Sequence, residues 1–166
     1  MTITAIDRDP AARTLSLTAE FAAPVELVWQ MIADPRKLER WWGPPGWPAS
    51  FADYSLTPGE HIAYSMTGPD GERSNAWFRV LAVDPPRSLD VEDGFADQHG
   101  TPSTSMPTTT MRFDVVDLGG GKAQLKVVTT FPSLEAMEQL VAMGMEEGIR
   151  AAAGQLDDLV AEFAPA

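Results

Sequence analysis

The apolar residues of the chain follow two periods, one of two residues and one close to 3.6. The first clear alternation runs over residues 14–21, where apolar and polar side chains exchange at every position. A period of two is typical of a strand with one buried face. Similar blocks recur from Ala49 to Phe131, separated by turns such as Pro58-Gly59. They predict about six further strands in an antiparallel meander.

Two short helices are predicted between the first strand and the meander. Pro24 stands where a first helical turn tolerates proline, and an apolar stripe follows it up to Ile32. Asp34 can cap a second short helix that begins with a proline and ends at about Trp41.

The longest helical pattern follows Pro132. Ser133 can cap this helix, and apolar residues recur at helical spacing over 134–163. The opposite side is strongly acidic, which is typical of a solvated face. Gly144 and Gly148 stand within it, although each glycine costs up to ~1 kcal/mol relative to alanine in a helix. They indicate either close helix–sheet packing or a hollow.

Together these elements predict an α+β fold. A curved antiparallel sheet wraps around a long C-terminal helix, and two short helices follow the first strand. A strongly curved sheet and one helix do not meet everywhere, so we expect an apolar cavity between them. No stretch is long enough to act as a linker, and we expect a single domain over 1–166 with its core at about 12–164.

Charge and composition narrow the set of partners. The sequence has 24 acidic and 12 basic side chains, a formal net charge of −12, which repels nucleic acid and anionic lipid. The absence of cysteine excludes disulfides and thiolate metal sites. The first residues do not resemble a signal peptide, and no segment reaches the ~18 apolar residues of a membrane helix. We expect a cytoplasmic protein that binds neither nucleic acid nor membranes.

The sequence contains no recognisable catalytic motif. His61 and His99 are the only histidines, and neither stands in a pattern typical of a Ser-His-Asp triad. The sequence also lacks a Gly-x-Ser-x-Gly elbow, metal-ligand spacings and phosphate-binding glycine patterns. We predict no catalytic residue, no metal and no cofactor, which favours a protein that is not an enzyme.

Aromatic residues and methionines supply the candidate ligand contacts. Trp42 and Trp47 either form an aromatic lip on a pocket or pack the short helices onto the sheet. Tyr64 shares a strand face with Ile62 and Met66, so its phenol is expected to point inward, where it needs a hydrogen-bond partner. The predicted ligand-binding residues are Trp42, Trp47, Tyr64, Phe78, Phe113, Met137, Val141, Met145 and Gly148.

Six segments, spread over nearly the whole chain, resemble a known family. They are similar to the START-like, helix-grip superfamily (SRPBCC), and within it to bacterial homologues of the activator of the ninety-kilodalton heat-shock protein ATPase. The paired tryptophans after a short helix and the proline turns at this spacing carry the resemblance. The segments are Ala23–Pro44, LTPGE (Leu56–Glu60), GPDG (Gly68–Gly71), LAVDPPRSL (Leu81–Leu89), GFAD (Gly94–Asp97) and MGMEEGI (Met143–Ile149).

The resemblance implies a helix-grip fold, often with an internal apolar cavity. Relatives include lipid binders, polyketide cyclases and co-chaperone domains. Gly148-Ile149 stands where a Gly-Trp pair is common, which predicts a differently shaped pocket, and Pro58-Gly59-Glu60 has one glycine where relatives often have two. The co-chaperones carry an additional N-terminal domain for which we expect no room here, so full co-chaperone action is not expected.

Three functions are compatible with these features. The leading hypothesis is a binding module that holds an apolar or amphipathic small molecule between the sheet and the C-terminal helix, and the resemblance adds a link to the stress response. The second is a cyclase- or hydrolase-like enzyme that uses the same cavity, with Tyr64, His61 and Glu92 as candidate acid–base residues. A buried carboxylate with a raised pKa in the cavity would favour this hypothesis. The third is a co-chaperone-like module with a protein partner, which predicts a contiguous exposed apolar patch. A homodimer through a sheet edge or Trp77 is a further expectation.

Overall fold

An eight-stranded antiparallel sheet is the framework of the structure, a computed structural model that describes residues 2–164. Its strands are β1 (Thr2–Asp9), β2 (Thr14–Phe21), β3 (Ala49–Phe51), β4 (His61–Thr67), β5 (Arg73–Asp84), β6 (Ser88–Phe95), β7 (Thr109–Gly119) and β8 (Lys122–Thr130). They lie in the order β1-β2-β8-β7-β6-β5-β4-β3. The strands from β3 to β8 therefore form the predicted meander, and β2 pairs with β8.

Strand β1 is an element that the alternation does not predict. A register shift between Ile3 and Ala5 in its pairing with β2 interrupts the period of two. As a result Ile3 and Ile6, three residues apart, both pack against the core. The sheet therefore extends by one edge strand beyond the region of regular alternation.

The two short helices lie where the sequence predicts them. They are α1 (Val25–Ala33) and α2 (Pro35–Leu38). The Asp34 carboxylate caps α2 by accepting a hydrogen bond from the Arg36 backbone N–H at 2.9 Å. The second helix is shorter than predicted: it ends at Leu38 rather than at about Trp41.

The C-terminal helical segment packs against the sheet, but it is not continuous. It consists of α3 (Leu134–Ala142), α4 (Met145–Gly154) and α5 (Leu156–Phe163). Ser133 caps α3 by accepting a hydrogen bond from the Ala136 N–H at 3.0 Å. Gly144 separates α3 from α4 with a φ of +92°, a left-handed conformation that glycine adopts without steric cost. Gln155 separates α4 from α5.

The hydrophobic core lies between one face of the sheet and the helices. The main cluster joins buried residues of the strands to α1, α2 and the last two helices. A smaller cluster beneath α3 contains Leu15, Phe131, Met137 and Leu140. The predicted α+β helix-grip fold is therefore confirmed. Within residues 2–164, no helix has the length and apolarity needed to cross a membrane.

Candidate ligand-binding site

A cavity of about 220 Å³ lies between α4 and the inward face of the sheet. Strands β2 and β4 to β8 form one wall, α4 forms the opposite wall, and the segment after α2 contributes Trp41, Trp42 and Pro44. Almost all of the lining side chains are apolar. The cavity occupies the place that the curvature of the sheet leads us to expect.

Small residues on α4 create the space. Gly148, Ala152 and Ala153 line the cavity on consecutive turns of the helix. A Cβ added at Gly148 would meet no atom within 4 Å. Of the two interpretations of this glycine, the structure therefore favours a hollow over close packing.

Trp42 forms an aromatic wall of the cavity. Its ring makes edge contacts with Trp41 and Phe78, at centroid distances of 5.5 and 5.3 Å, and a tilted contact with Phe113 at 5.8 Å. Trp41 is itself buried and donates its indole N–H to the Met31 carbonyl at 2.8 Å. Trp41 therefore packs the short helices together, while Trp42 presents its ring to the cavity.

Gln155 fixes the tryptophan segment to the helical side of the cavity. Its side-chain amide donates a hydrogen bond to the Gly43 carbonyl at 2.7 Å. Gln155 stands at the break between α4 and α5. The break therefore places a hydrogen-bond donor beside the Gly43 carbonyl of the tryptophan segment.

The polar feature of the cavity wall is a contact between Tyr64 on β4 and Asp93 on β6. The Tyr64 hydroxyl donates to Asp93 Oδ1 at 2.9 Å, and both residues line the cavity. On the intervening strand β5, Ala76 stands opposite Tyr64 and Phe78 stands opposite Asp93. The phenol therefore reaches the carboxylate diagonally across β5, beside the Phe78 ring, whose centroid lies 4.8 Å from that of Tyr64.

Burial controls the ionisation of this pair. Loss of solvation raises the pKa of Asp93 from 3.8 to about 7, while the hydrogen bond from Tyr64 lowers it and offsets part of the shift. Burial also raises the pKa of Tyr64 well above 10, and the neighbouring charge of Asp93 acts in the same direction. The phenol therefore stays protonated, and the carboxyl changes charge near neutral pH.

The remaining lining offers little other chemistry. Ser74 is the third polar side chain of the cavity, and none of the lining residues is a lysine, arginine or histidine. Three methionines, Met66, Met111 and Met145, add flexible apolar surface. The arrangement can hold an apolar body and form one polar contact, at Asp93 and Tyr64.

A second hollow of about 250 Å³ adjoins the cavity beside Asp93. The two share Asp93, Gly94, Phe95 and Met145, and the second hollow continues to Gly144 and its neighbours at the junction of α3 and α4. The carboxylate therefore stands between the apolar interior and the helix break.

Four of the nine predicted ligand-binding residues line the cavity: Trp42, Tyr64, Met145 and Gly148. Phe78 and Phe113 lie in the core behind Trp42. These two residues support the cavity wall without lining it.

The other three predicted residues lie elsewhere. Trp47 is half-buried against Gly68, where an added Cβ would come within 2.6 Å of the indole ring. Met137 and Val141 belong to the smaller core cluster under α3. The helix break at Gly144 explains the position of these two, because α3 follows a different part of the sheet from α4.

The candidate acid–base residues, apart from Tyr64, lie outside the cavity. His61 is exposed and stacks on Trp77, with ring centroids 5.4 Å apart. Glu92 forms an ion pair with Arg79 on the outer face of the sheet. His99, the second histidine and not one of these candidates, is exposed in the loop after β6.

Trp77 is covered by its own chain. Its ring packs on Gly94, where an added Cβ would come within 2.8 Å of it, and its N–H donates to the Phe95 carbonyl at 3.2 Å. The burial of this outward-facing residue therefore needs no second copy of the chain.

Asp93 is the polar residue that the sequence reasoning missed. The alternation of Leu89 and Val91, both buried, continues to position 93 and would have placed this carboxylate on the inward face. Glu92, the acidic candidate from the sequence, has the opposite parity.

Neither a metal centre nor a single docking surface stands out. Within the described part of the chain, no group of three or more His, Cys, Asp or Glu side chains could hold a metal ion. Among the described residues, the large apolar side chains that are exposed come from several elements, and two of them, Phe95 and Met143, line the second hollow together. They are Leu81, Phe95, Val116, Leu118, Leu134, Met143 and Phe163.

The chain belongs to the family described as Activator of Hsp90 ATPase homolog 1-like protein, whose family model matches residues 22–161. This confirms the family expected from the six segments. No protein with a curated description matches the chain.

Solved structures of bacterial proteins share the whole fold. A solution structure from Arthrobacter aurescens is 41% identical, with a TM-score of 0.93 over 99% of this chain and 94% of that protein. A crystal structure from Mycobacterium smegmatis is 42% identical, with a TM-score of 0.85 over 95% of this chain and 96% of that one. The AHSA1 protein of Silicibacter pomeroyi is 24% identical, with a TM-score of 0.71 over 89% and 97% of the two chains, a likeness of fold alone.

Proposed function

We propose that this protein binds a small apolar or amphipathic molecule in the cavity between α4 and the sheet. The observation that carries the proposal is an apolar cavity of about 220 Å³ with a polar pair, Tyr64 and Asp93, at its wall. A dry protein cavity of roughly 150 Å³ is already large enough to hold benzene. The volume here therefore suits a ligand larger than a single aromatic ring.

The energetics of the lining support binding. Each Å² of apolar ligand surface removed from water contributes about 25 cal/mol, and the walls consist of indole, thioether and aliphatic groups. Gln155 and the aromatic contacts of Trp42 hold this segment in place without a ligand, so less ordering accompanies binding.

Two glycines of α4 allow a matched test with naphthalene as the probe. Gly148 and Gly154 both leave open space around an added Cβ, but only Gly148 lines the cavity. We expect naphthalene to raise the Tm of the wild type and of Gly154→Leu, and to leave the Tm of Gly148→Leu unchanged, because the new side chain fills the cavity. At 100 times its Kd a ligand adds about 2.7 kcal/mol of stability. An equal rise in Gly148→Leu would contradict binding at this site.

General acid–base catalysis is a second candidate, and Asp93 favours it. A carboxylate with a pKa of about 7 in an apolar cavity can take and return a proton at neutral pH. Once Asp93 has taken up the proton, the Tyr64 hydroxyl is free to turn from the carboxyl and donate its single hydrogen bond to the developing oxyanion. This candidate predicts accelerated exchange of the protons next to the carbonyl of 2-tetralone in D₂O, followed by NMR. Exchange no faster than in Asp93→Asn would count against it.

A further inference from the structure

We propose that the cavity selects an apolar organic amine, bound as its ammonium ion with the charged nitrogen against the Asp93 carboxylate. The inference rests on the proposed binding function and adds the chemical class of the ligand. It predicts preference for a cation over a neutral analogue and rejection of an anion of the same size.

The polar groups of the cavity are complementary to a cation. Tyr64, Ser74 and Asp93 are the polar side chains among its lining residues, and no basic side chain accompanies them. Among the described residues, the Tyr64 hydroxyl is the hydrogen-bond partner of the Asp93 carboxylate, and it engages Oδ1. The second carboxylate oxygen is therefore available to a donor that the ligand supplies, and an ammonium group has donors only.

The aromatic walls act in the same direction. Four aromatic residues, Trp41, Trp42, Tyr64 and Phe95, are among those that line the cavity. The faces of such rings carry negative electrostatic potential and attract ammonium groups within about 6 Å. An apolar body and a cationic head can therefore both find favourable contacts.

An anionic ligand would be repelled by the charge of Asp93. Its carboxylate would lie in the cavity beside Asp93 without a positive partner, and like charges in a poorly solvated site repel strongly. The formal net charge of −12 also draws cations toward the protein and repels anions at long range.

Within residues 2–164, no basic side chain forms an ion pair with Asp93. Tyr64 faces it from β4, and Glu92 and Arg79 pair on the other face of the sheet. On the neighbouring strand, Thr109 is the residue in contact, through the Asp93 backbone carbonyl.

The acidic side chains at the start of the opposing helix are paired or exposed. On α4, Glu146 pairs with Arg8, with its Oε1 2.7 Å from the arginine Nε, and Glu147 is exposed. An ammonium ion would thus be the counter-ion of Asp93. Because burial raises the pKa of Asp93 to about 7, affinity for a cation should rise as the pH increases through 7.

Three probes with one apolar body test the inference by titration calorimetry at pH 8. They are 1-naphthylmethylamine, which is protonated at this pH, 1-naphthalenemethanol and 1-naphthoate. We expect the amine to bind at least about tenfold more tightly than the alcohol, and the carboxylate to bind weakest. Asp93→Asn should bind amine and alcohol equally, because the charge is lost while the shape is kept. Glu92→Gln, one residue away but outside the cavity, should behave as the wild type.

Each other outcome has a distinct meaning. Equal binding of amine and alcohol to the wild type, or amine affinity that does not rise between pH 5.5 and 8, would overturn the amine inference and leave the binding function standing. Loss of alcohol binding in Asp93→Asn would show that the side chain shapes the cavity rather than pairs with charge, and would also overturn the inference. Failure of all three probes to bind would overturn the binding function as well.

Discussion

Single residues determine what the cavity can do, and Asp93 is the one that gives it a charge. Its carboxyl shares a hydrogen bond with Tyr64 in an otherwise apolar wall. A carboxyl whose pKa is raised by burial binds its proton more tightly in the native state than in the unfolded chain, so the stability of the protein depends on pH.

Replacement of Asp93 by asparagine should stabilise the protein at alkaline pH. The pKa of Asp93 is about 7 in the native state, against an ordinary value of 3.8. The free energy of unfolding of the wild type therefore increases as the pH falls through 7 and decreases as the pH rises through 7. Asp93→Asn carries no charge to desolvate, so its advantage in free energy of unfolding should be greatest at pH 8.5, at most about 4 kcal/mol. The advantage should shrink as the pH falls and be small below pH ~4.

Urea unfolding of the wild type, Asp93→Asn and Glu92→Gln at several pH values measures this linkage. The difference between variants isolates Asp93 from other carboxyls such as Asp34, whose lowered pKa, caused mainly by Lys37, has the opposite effect on stability. A difference that stays constant from pH 5 to 8.5 would show that Asp93 is not desolvated in the native state.

At the scale of elements, hydrophobic periodicity predicts most of the strands and both short helices. It fails where the backbone departs from its period. The register shift in β1 hides an edge strand, and the break at Gly144 divides a pattern that continues in the sequence. Hydrophobic periodicity indicates which face of a helix is buried, but not where the helix axis changes direction. For this reason it places Met137 and Val141 beside the cavity, whereas they pack under α3.

Gly144 allows a test of the helix break. At a φ of +92°, a side chain with a Cβ is strained by roughly 1–2 kcal/mol. We expect Gly144→Ala to lower the free energy of unfolding by about that amount. Gly148 lies within α4, and an added Cβ there would have open space around it. Gly148→Ala should therefore raise the free energy of unfolding by up to ~1 kcal/mol. Chemical denaturation of both variants gives the comparison, and a stabilised Gly144→Ala would mean that α3 and α4 form one continuous helix.

At the scale of the whole molecule, the cavity results from a curved sheet facing a helix of small residues. The fold class follows from the order of the predicted elements, and the six matching segments are enough to indicate the family. The site is harder to predict, since a residue's distance from the cavity depends on where α4 crosses the sheet. Trp42 and Tyr64 face inward and reach the cavity, whereas Phe78 and Phe113 face inward but are covered by Trp42.

The binding function is tested most directly by NMR of the methionine methyl groups. Met66, Met111 and Met145 line the cavity, whereas Met31 and Met137 are buried in the core outside it. With naphthalene added, we predict chemical-shift changes and intermolecular NOEs at the three cavity methyls, and none at Met31 or Met137. Unchanged cavity methyls under saturating probe, or NOEs confined to other methionines, would contradict a ligand site between α4 and the sheet.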